Sequence, residues 1–305
     1  MRTRILALFA LCLLSFDLSY AVADETKKSF VLGRVSVYPD EEMSRLESLS
    51  IYLKQNLPNA ENMHFEQVIV SSLEEMIELL KKGEVDLVSE TPFAAMELQL
   101  ATGAEILLRE RKYGMKEYDS LLIANSNLDI KSLDDFKGQL LALEDPGSTS
   151  GFWLPVSVFV NAGIPVREVE STTAPIGKDE VGYIFAGDSE NVTQWIASGI
   201  AAGGGVSEYD LNTPNRTPLI VRSKLRVVTR SQSVLRSLVL VPAGMPPELK
   251  ESIKTLLSEM HDKNNGWETM RSYNRVRRFD PIDAEMSVKL KELEGLYKTV
   301  KAVIQ

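Results

Sequence analysis

Cysteine is nearly absent from this 305-residue chain: there is one, Cys12. Histidine is almost as scarce, with His64 and His261 far apart. Past the first residues this excludes thiol catalysis, zinc–thiolate centres and metal sites of the His-x-x-x-His type. A Ser-His-Asp triad would have to draw on one of the two histidines. His64 lies at the approach to a strand and His261 in a solvated Glu-Met-His-Asp-Lys stretch, so surface or packing roles are expected of both. There is no Walker phosphate loop, no strand-linked G-x-G-x-x-G and no G-x-S-x-G elbow. An enzyme is therefore not expected, nor is a cofactor or a metal. Basic clusters are missing too, and the formal net charge is −9. Nucleic acid, whose phosphates demand clustered Lys and Arg, is excluded as a partner.

The N-terminus has its own grammar. Arg2 and Arg4 precede an apolar stretch (residues 5–14) too short to span a bilayer, and Ala21-Val22-Ala23 supplies a small-x-small site. That order predicts a secretory signal peptide over residues 1–23, cleaved after Ala23. It leaves an exported chain without cysteine, one that must rely on apolar cores rather than disulfides. About 280 residues are enough to build one or two such cores.

Along the rest of the chain, strand and helix signals alternate. "FVLGRVSV" (30–37), "MHFEQVIV" (63–70), "EVDLVSE" (84–90) and "QLLALED" (139–145) read as strands. Between them, "EEMSRLESLSIYLKQNL" (41–57) reads as a helix. Ser72 with Glu75 forms a capping box before a second helix that Gly83 ends, and Thr91-Pro92-Phe93 opens a third. Ser132 with Asp135 predicts a further helix closed by Gly138. Signals are weak over 166–188 and 208–223, which read as loops, and the C-terminal stretch reads as helical. Such alternation predicts α/β architecture with mainly parallel sheets covered by helices.

One junction carries chemistry. "EDPGSTSGFWLP" (144–155) places Ser148, Thr149 and Ser150 between two glycines, after a strand and before a helix. Unpaired N–H groups at such a helix start, with three hydroxyl donors, suit a small oxyanion. The same residues also allow a plainer reading, with Ser150 capping the helix and Gly147 and Gly151 shaping the turn.

The "DP-x-STSG" motif, the aromatic after it and the proline beyond resemble the signature of periplasmic phosphonate-, phosphite- and phosphate-binding proteins of ABC importers. "KKGEVDLVSETPFAAM" and "EYDSLLIANSNLDIKSLDDFKGQLLALEDP" are similar to flanking segments of that family, in the same order. The resemblance covers most of the chain and is strongest over 73–163. It implies a type II periplasmic binding fold of two α/β lobes joined by a hinge, with lobe one formed by residues 24–120 plus 228–305 and lobe two by 121–227.

It also implies roles. Ser148, Thr149 and Ser150, with backbone N–H groups near Gly151, would hold the oxyanion. Tyr118 and Ser120 would line the cleft, Thr91 and Phe93 would contact the ligand from lobe one, and Tyr38 would face the cleft. For Phe93 and Tyr38, core packing is an equal alternative. Ser189 stands where many members carry a histidine, beside Asp188, and Ala201 stands where members that bind an aminoalkyl phosphonate place an Asp. The resemblance thus implies a monomeric periplasmic solute-binding protein that delivers a phosphonate-, phosphite- or phosphate-like oxyanion to an ABC permease. The alternatives are a ligand sensor on the same fold, coupled to a membrane receptor or kinase, and a periplasmic hydrolase.

Overall fold

The computed structural model describes residues 29–304, so the leader and its cleavage after Ala23 lie outside the described residues. The chain begins with β1 (Ser29–Val35), α1 (Pro39–Asn56), β2 (His64–Val70), α2 (Leu73–Lys82), β3 (Leu87–Glu90), α3 (Pro92–Thr102) and β4 (Glu105–Lys112). Ser72 caps α2 by accepting from the Glu75 N–H at 3.3 Å. The Glu75 carboxylate reaches the Ser71 N–H rather than that of Ser72, so the reciprocal half of the capping box is displaced by one residue. Gly83 ends α2 at φ +69°, a left-handed conformation that glycine adopts without a Cβ clash.

After a short β5 (Glu117–Tyr118), the chain enters a second unit. Its elements are β6 (Ser120–Asn125), β7 (Leu140–Leu143), α4 (Leu154–Asn161), β8 (Val166–Glu168), β9 (Val181–Phe185), α5 (Ser189–Ser198), β10 (Gly203–Ser207), α6 (Glu208–Asn212), α7 (Leu219–Arg222) and β11 (Leu225–Arg230). It then returns through β12 (Val234–Leu235) to β13 (Ser237–Val241), α8 (Pro247–Glu259), α9 (Gly266–Asn274), β14 (Val276–Pro281) and α10 (Ala284–Ile304).

Two six-stranded sheets result, ordered β14-β4-β13-β3-β1-β2 and β11-β6-β10-β7-β9-β8. β1 runs parallel to β2 and β3, and β7 runs parallel to β9 and β10. Both sheets are mixed, because the strands next to the crossings run the other way: β13 is antiparallel to β3 and β4, and β6 to β10 and β11. β5 and β12 pair antiparallel as a small ribbon where the chain passes between the sheets. β3, β6, β7 and β13 are buried throughout, and apolar residues dominate β6, β7 and β13.

Several local expectations are corrected. The helix expected after Ser132 is one 3₁₀ turn, Asp134–Phe136. Asp135 accepts from the backbone N–H groups of both Lys131 and Ser132, closing a turn instead of starting a helix. The weak stretches hold β8 and β9 and the short helices α6 and α7, and β14 interrupts the helical C-terminal part. β8 has three residues and β14 has charged, half-exposed positions, so neither shows clear alternation.

Each sheet has its own apolar core, with Phe30, Leu49, Tyr273 and Phe279 prominent in the first. A further cluster crosses between the sheets and joins Phe93 and Met96 of α3, Phe152 and Trp153, and Leu293 and Tyr297 of α10. Trp153 stacks there with both the Phe93 ring and the Tyr297 ring, each 5.1 Å away.

Candidate functional site

Between the two sheets lies a cavity of about 670 Å³. Its walls include Val35–Tyr38 after β1, Ser71–Glu74 at the start of α2, Glu144–Gly147 after β7 and Gly187–Ser189 at the start of α5. The cavity therefore opens at the carboxyl ends of strands and the N-terminal ends of α1, α2 and α5. First-turn N–H groups lack intrahelical partners and carry the positive end of the helix dipole, so this geometry favours an anion.

The residues on either side of the hydroxyl-rich turn, Gly147 and Phe152, line this cavity, whereas Ser148–Gly151 do not and form a hydrogen-bonded seam behind it. Residues Thr149–Trp153 form a π-helical turn that leads into α4. Ser148, not Ser150, is the cap: its Oγ accepts from the Gly151 N–H at 2.9 Å. Thr149 is buried, and its Oγ1 accepts from the Phe93 N–H at 3.1 Å. The Thr91 hydroxyl donates to the Gly147 carbonyl at 3.1 Å, so α3 from the first sheet and the turn from the second meet directly. Ser120 Oγ donates to the Ser150 carbonyl at 2.6 Å, and Tyr118 shares a hydrogen bond with the Thr149 side chain.

The structure thus gathers Thr91, Phe93, Tyr118, Ser120 and Ser148–Gly151 into one seam. Tyr38 and Ser189 instead line the cavity, Tyr38 being largely exposed and Ser189 only 7 % exposed. Phe93 is fully buried against Trp153, where its ring does packing work while its N–H reaches the turn. Ser189 opens α5, and the Asp188 cap accepts from the Asn191 N–H at 2.6 Å.

Sequence reasoning passed over several neighbours. Tyr183 and Phe185 of β9 add an aromatic wall to the cavity, together with Phe152 and Trp153. Arg236, beside the small ribbon, places its guanidinium 4.1 Å from the Tyr118 ring centroid and so brings a cation close to the seam. Arg216 and Lys301 are the two cations on the cavity wall, paired with Glu190 and Glu97 respectively. Six carboxylates share that wall, and the two in the motif are perturbed. Burial, reinforced by Asp145, pushes Glu144 up to about 7, and burial also raises Asp145. Both belong to the quoted motif, where a buried acid beside a hydroxyl turn leaves no periodic signal.

Neither histidine lines the cavity, and no group of residues fit to hold a metal occurs among the described residues. The arrangement supplies hydroxyl and amide donors beside the cavity. It is built to hold a ligand.

Residues 33–286 match the family described as ABC transporter, phosphonate, periplasmic substrate-binding protein. The chain belongs to that family. This periplasmic substrate-binding protein is a transport component and not an enzyme. It is 25 % identical over 235 residues to the phosphate-import protein PhnD of Mycolicibacterium smegmatis, covering 74 % of this chain and 70 % of the relative. Its fold is similar to that of a Xanthomonas citri protein bound to chloride ion, with a TM-score of 0.87, 25 % identity and coverage of 90 % and 99 % of the two chains. The Prochlorococcus marinus PhnD1 complex with methylphosphonate shares the fold at a TM-score of 0.67 and 15 % identity, covering 90 % of this chain and 98 % of that one. The two-lobed α/β architecture expected from the sequence is that of these substrate-binding proteins.

Proposed function

We propose that this protein, as a monomer released by cleavage after Ala23, captures a small phosphonate-, phosphite- or phosphate-like oxyanion in the inter-lobe cavity and presents it to an ABC permease. The observation that carries the reading is the convergence on one cavity of three helix N-termini and of Glu144–Gly147, the stretch that leads into the hydroxyl turn. Family membership and likeness to a phosphate-import protein support the same ligand class. Thr149, Ser150 and Ser189 are the proposed anion donors; Ser148 and the Gly151 N–H, bonded to each other, hold the turn in place with Thr91, Phe93, Tyr118 and Ser120, and Tyr38 stands at the rim.

In this reading residues 24–120 with 228–305 move against 121–227. Opening the cleft then parts Trp153 from Phe93 and Tyr297 and breaks the Thr149–Phe93 and Thr91–Gly147 hydrogen bonds. Ligand bridging both lobes favours the closed form by its differential affinity.

A thermal-shift series against phosphate, phosphite, methylphosphonate, sulfate and methanesulfonate tests the proposal. A ligand at 100 times its dissociation constant stabilises the folded state by about 2.7 kcal/mol. The phosphorus oxyanions are expected to raise the melting temperature, and the rise is expected to vanish in Thr149→Val/Ser150→Ala. A rise that persists undiminished in that double variant contradicts the assigned turn.

A further inference from the structure

The hydroxyl turn is built around a carboxylate. Glu144 follows β7, and its N–H donates to the Gly151 carbonyl at 3.0 Å. Its side chain crosses the turn, where Oε2 accepts the Ser148 hydroxyl at 2.7 Å. A Cβ on residue 151 would stand 2.3 Å from both Cβ and Oε2 of Glu144, so the glycine leaves the space the acid occupies. Glu144 also forms part of the cavity wall.

Counting protons shows what this does to the donors. A serine hydroxyl has one proton, and that of Ser148 points to Glu144 while its oxygen already accepts from the Gly151 N–H. Ser148 then has no proton to offer an anion. The surroundings give Glu144 no compensating charge: Asp145 shares its turn, Asp188 faces it from the cap of α5 and Asp210 from α6. Tyr118 adds a neutral phenol, with Arg236 on that ring's other contact, and the cavity cations Arg216 and Lys301 are each paired elsewhere. Among the described residues no Lys or Arg forms an ion pair with Glu144. A second full negative charge beside this carboxylate is repelled, unless a proton lies between the two.

We propose that Glu144 is the specificity-determining acceptor of the cleft, taking a hydrogen bond from a P–OH of the bound oxyanion, so that phosphonates and phosphates are admitted and sulfonates and sulfate are refused. The inference rests on the oxyanion reading above. Phosphate groups lose their last proton near pH 6, so a phosphorus oxyanion has an O–H that it keeps below neutrality and can regain on binding beside Glu144. Sulfonates and sulfate carry none there. The raised proton affinity of Glu144, from burial and then from Asp145, lets acid and ligand hold one proton jointly over the same range.

Titration calorimetry of the full mature chain with methylphosphonate and methanesulfonate at pH 5.5, 7.5 and 9 tests this. At pH 7.5 methylphosphonate is expected to bind at least 10-fold tighter than methanesulfonate. Methanesulfonate affinity should rise as the pH falls to 5.5, because Glu144 then supplies the proton itself. Methylphosphonate affinity should fall by pH 9, where neither partner holds one. Glu144→Gln, whose amide can donate to an unprotonated oxygen, should narrow the ratio at pH 7.5 to within threefold. The wild-type pH series decides independently of how that variant folds.

Comparable affinities for the two ligands in the wild type at pH 7.5, or a ratio unchanged in a folded Glu144→Gln, overturn the role of Glu144 alone. Absence of methylphosphonate binding at every pH overturns the oxyanion reading and this inference with it.

Discussion

Gly205→Val is expected to lower the melting temperature by roughly 10 °C, from a loss of about 3 kcal/mol, and to abolish ligand binding in whatever remains folded. Gly205 lies in β10, between β6 and β7 in the second sheet. A Cβ there would stand 2.0 Å from Pro155 Cγ and 2.7 Å from Pro155 Cβ. Pro155 belongs to the first turn of α4, directly after the π-helical turn, and a ring cannot swing aside as a flexible side chain can. The added methyls therefore push the start of α4 off the sheet. The same shift displaces Ser150, whose carbonyl is held by Ser120, and Thr149, which accepts from Phe93. Thermal denaturation with and without methylphosphonate separates the two effects. A variant that melts like wild type and still gains stability from the ligand would contradict the packing argument.

The second large effect is at Asp280. Its Oδ2 accepts from Arg109 Nη2 at 2.6 Å and from Arg111 Nε at 2.7 Å, and its Oδ1 from Arg111 Nη2 at 2.6 Å. The Asp280 and Arg109 side chains are both buried, tying edge strand β14 to β4. Asp280→Ala leaves the Arg109 guanidinium buried without its partner, and the expected loss is about 3–5 kcal/mol in urea denaturation. Asp280→Asn keeps the shape and should lose less.

The acid limb carries a signature too. Burial works to raise the Asp280 pKa, but the hydrogen bonds from Arg111 and Arg109 outweigh it and hold the group below its ordinary value. A depressed folded-state pKa means that the unfolded chain binds the proton first. The stabilisation is then full above the unfolded value near pH 4 and is lost as pH falls through the folded one. The stability of Asp280→Asn should decline less steeply than that of wild type over that acid window. Equal slopes would show that the carboxylate is not held in its charged form.

Much of this was legible in the chain, for reasons that can be named. Ser72, Gly83 and Thr91 mark helix ends through local backbone chemistry, and β7 announces itself as a short unbroken apolar run. The elements that were missed depend on partners distant in sequence. β14 is a strand because β4 lies beside it, and β8 because β9 does. Ser132 and Asp135 look like a helix start, yet the acid's bonds to the Lys131 and Ser132 N–H groups settle a turn.

In the site, the hydroxyl motif was readable because three hydroxyls between glycines are unusual. Its inward attachment was not, since Thr149 meets Phe93 across 56 positions of sequence. The role of Glu144 was equally hidden. Its neighbours Asp188 and Asp210 arrive from α5 and α6, and only folding brings those charges to one wall.

The central claim is that the inter-lobe cavity beside the Ser148–Gly151 turn is where a small phosphorus oxyanion binds. A crystal structure of the mature chain grown with methylphosphonate tests it most directly. The account predicts phosphonate oxygens about 2.7–3.2 Å from donors of that turn and of the α5 N-terminus at Ser189. A well-ordered methylphosphonate bound outside the cavity, with the turn untouched, would contradict it.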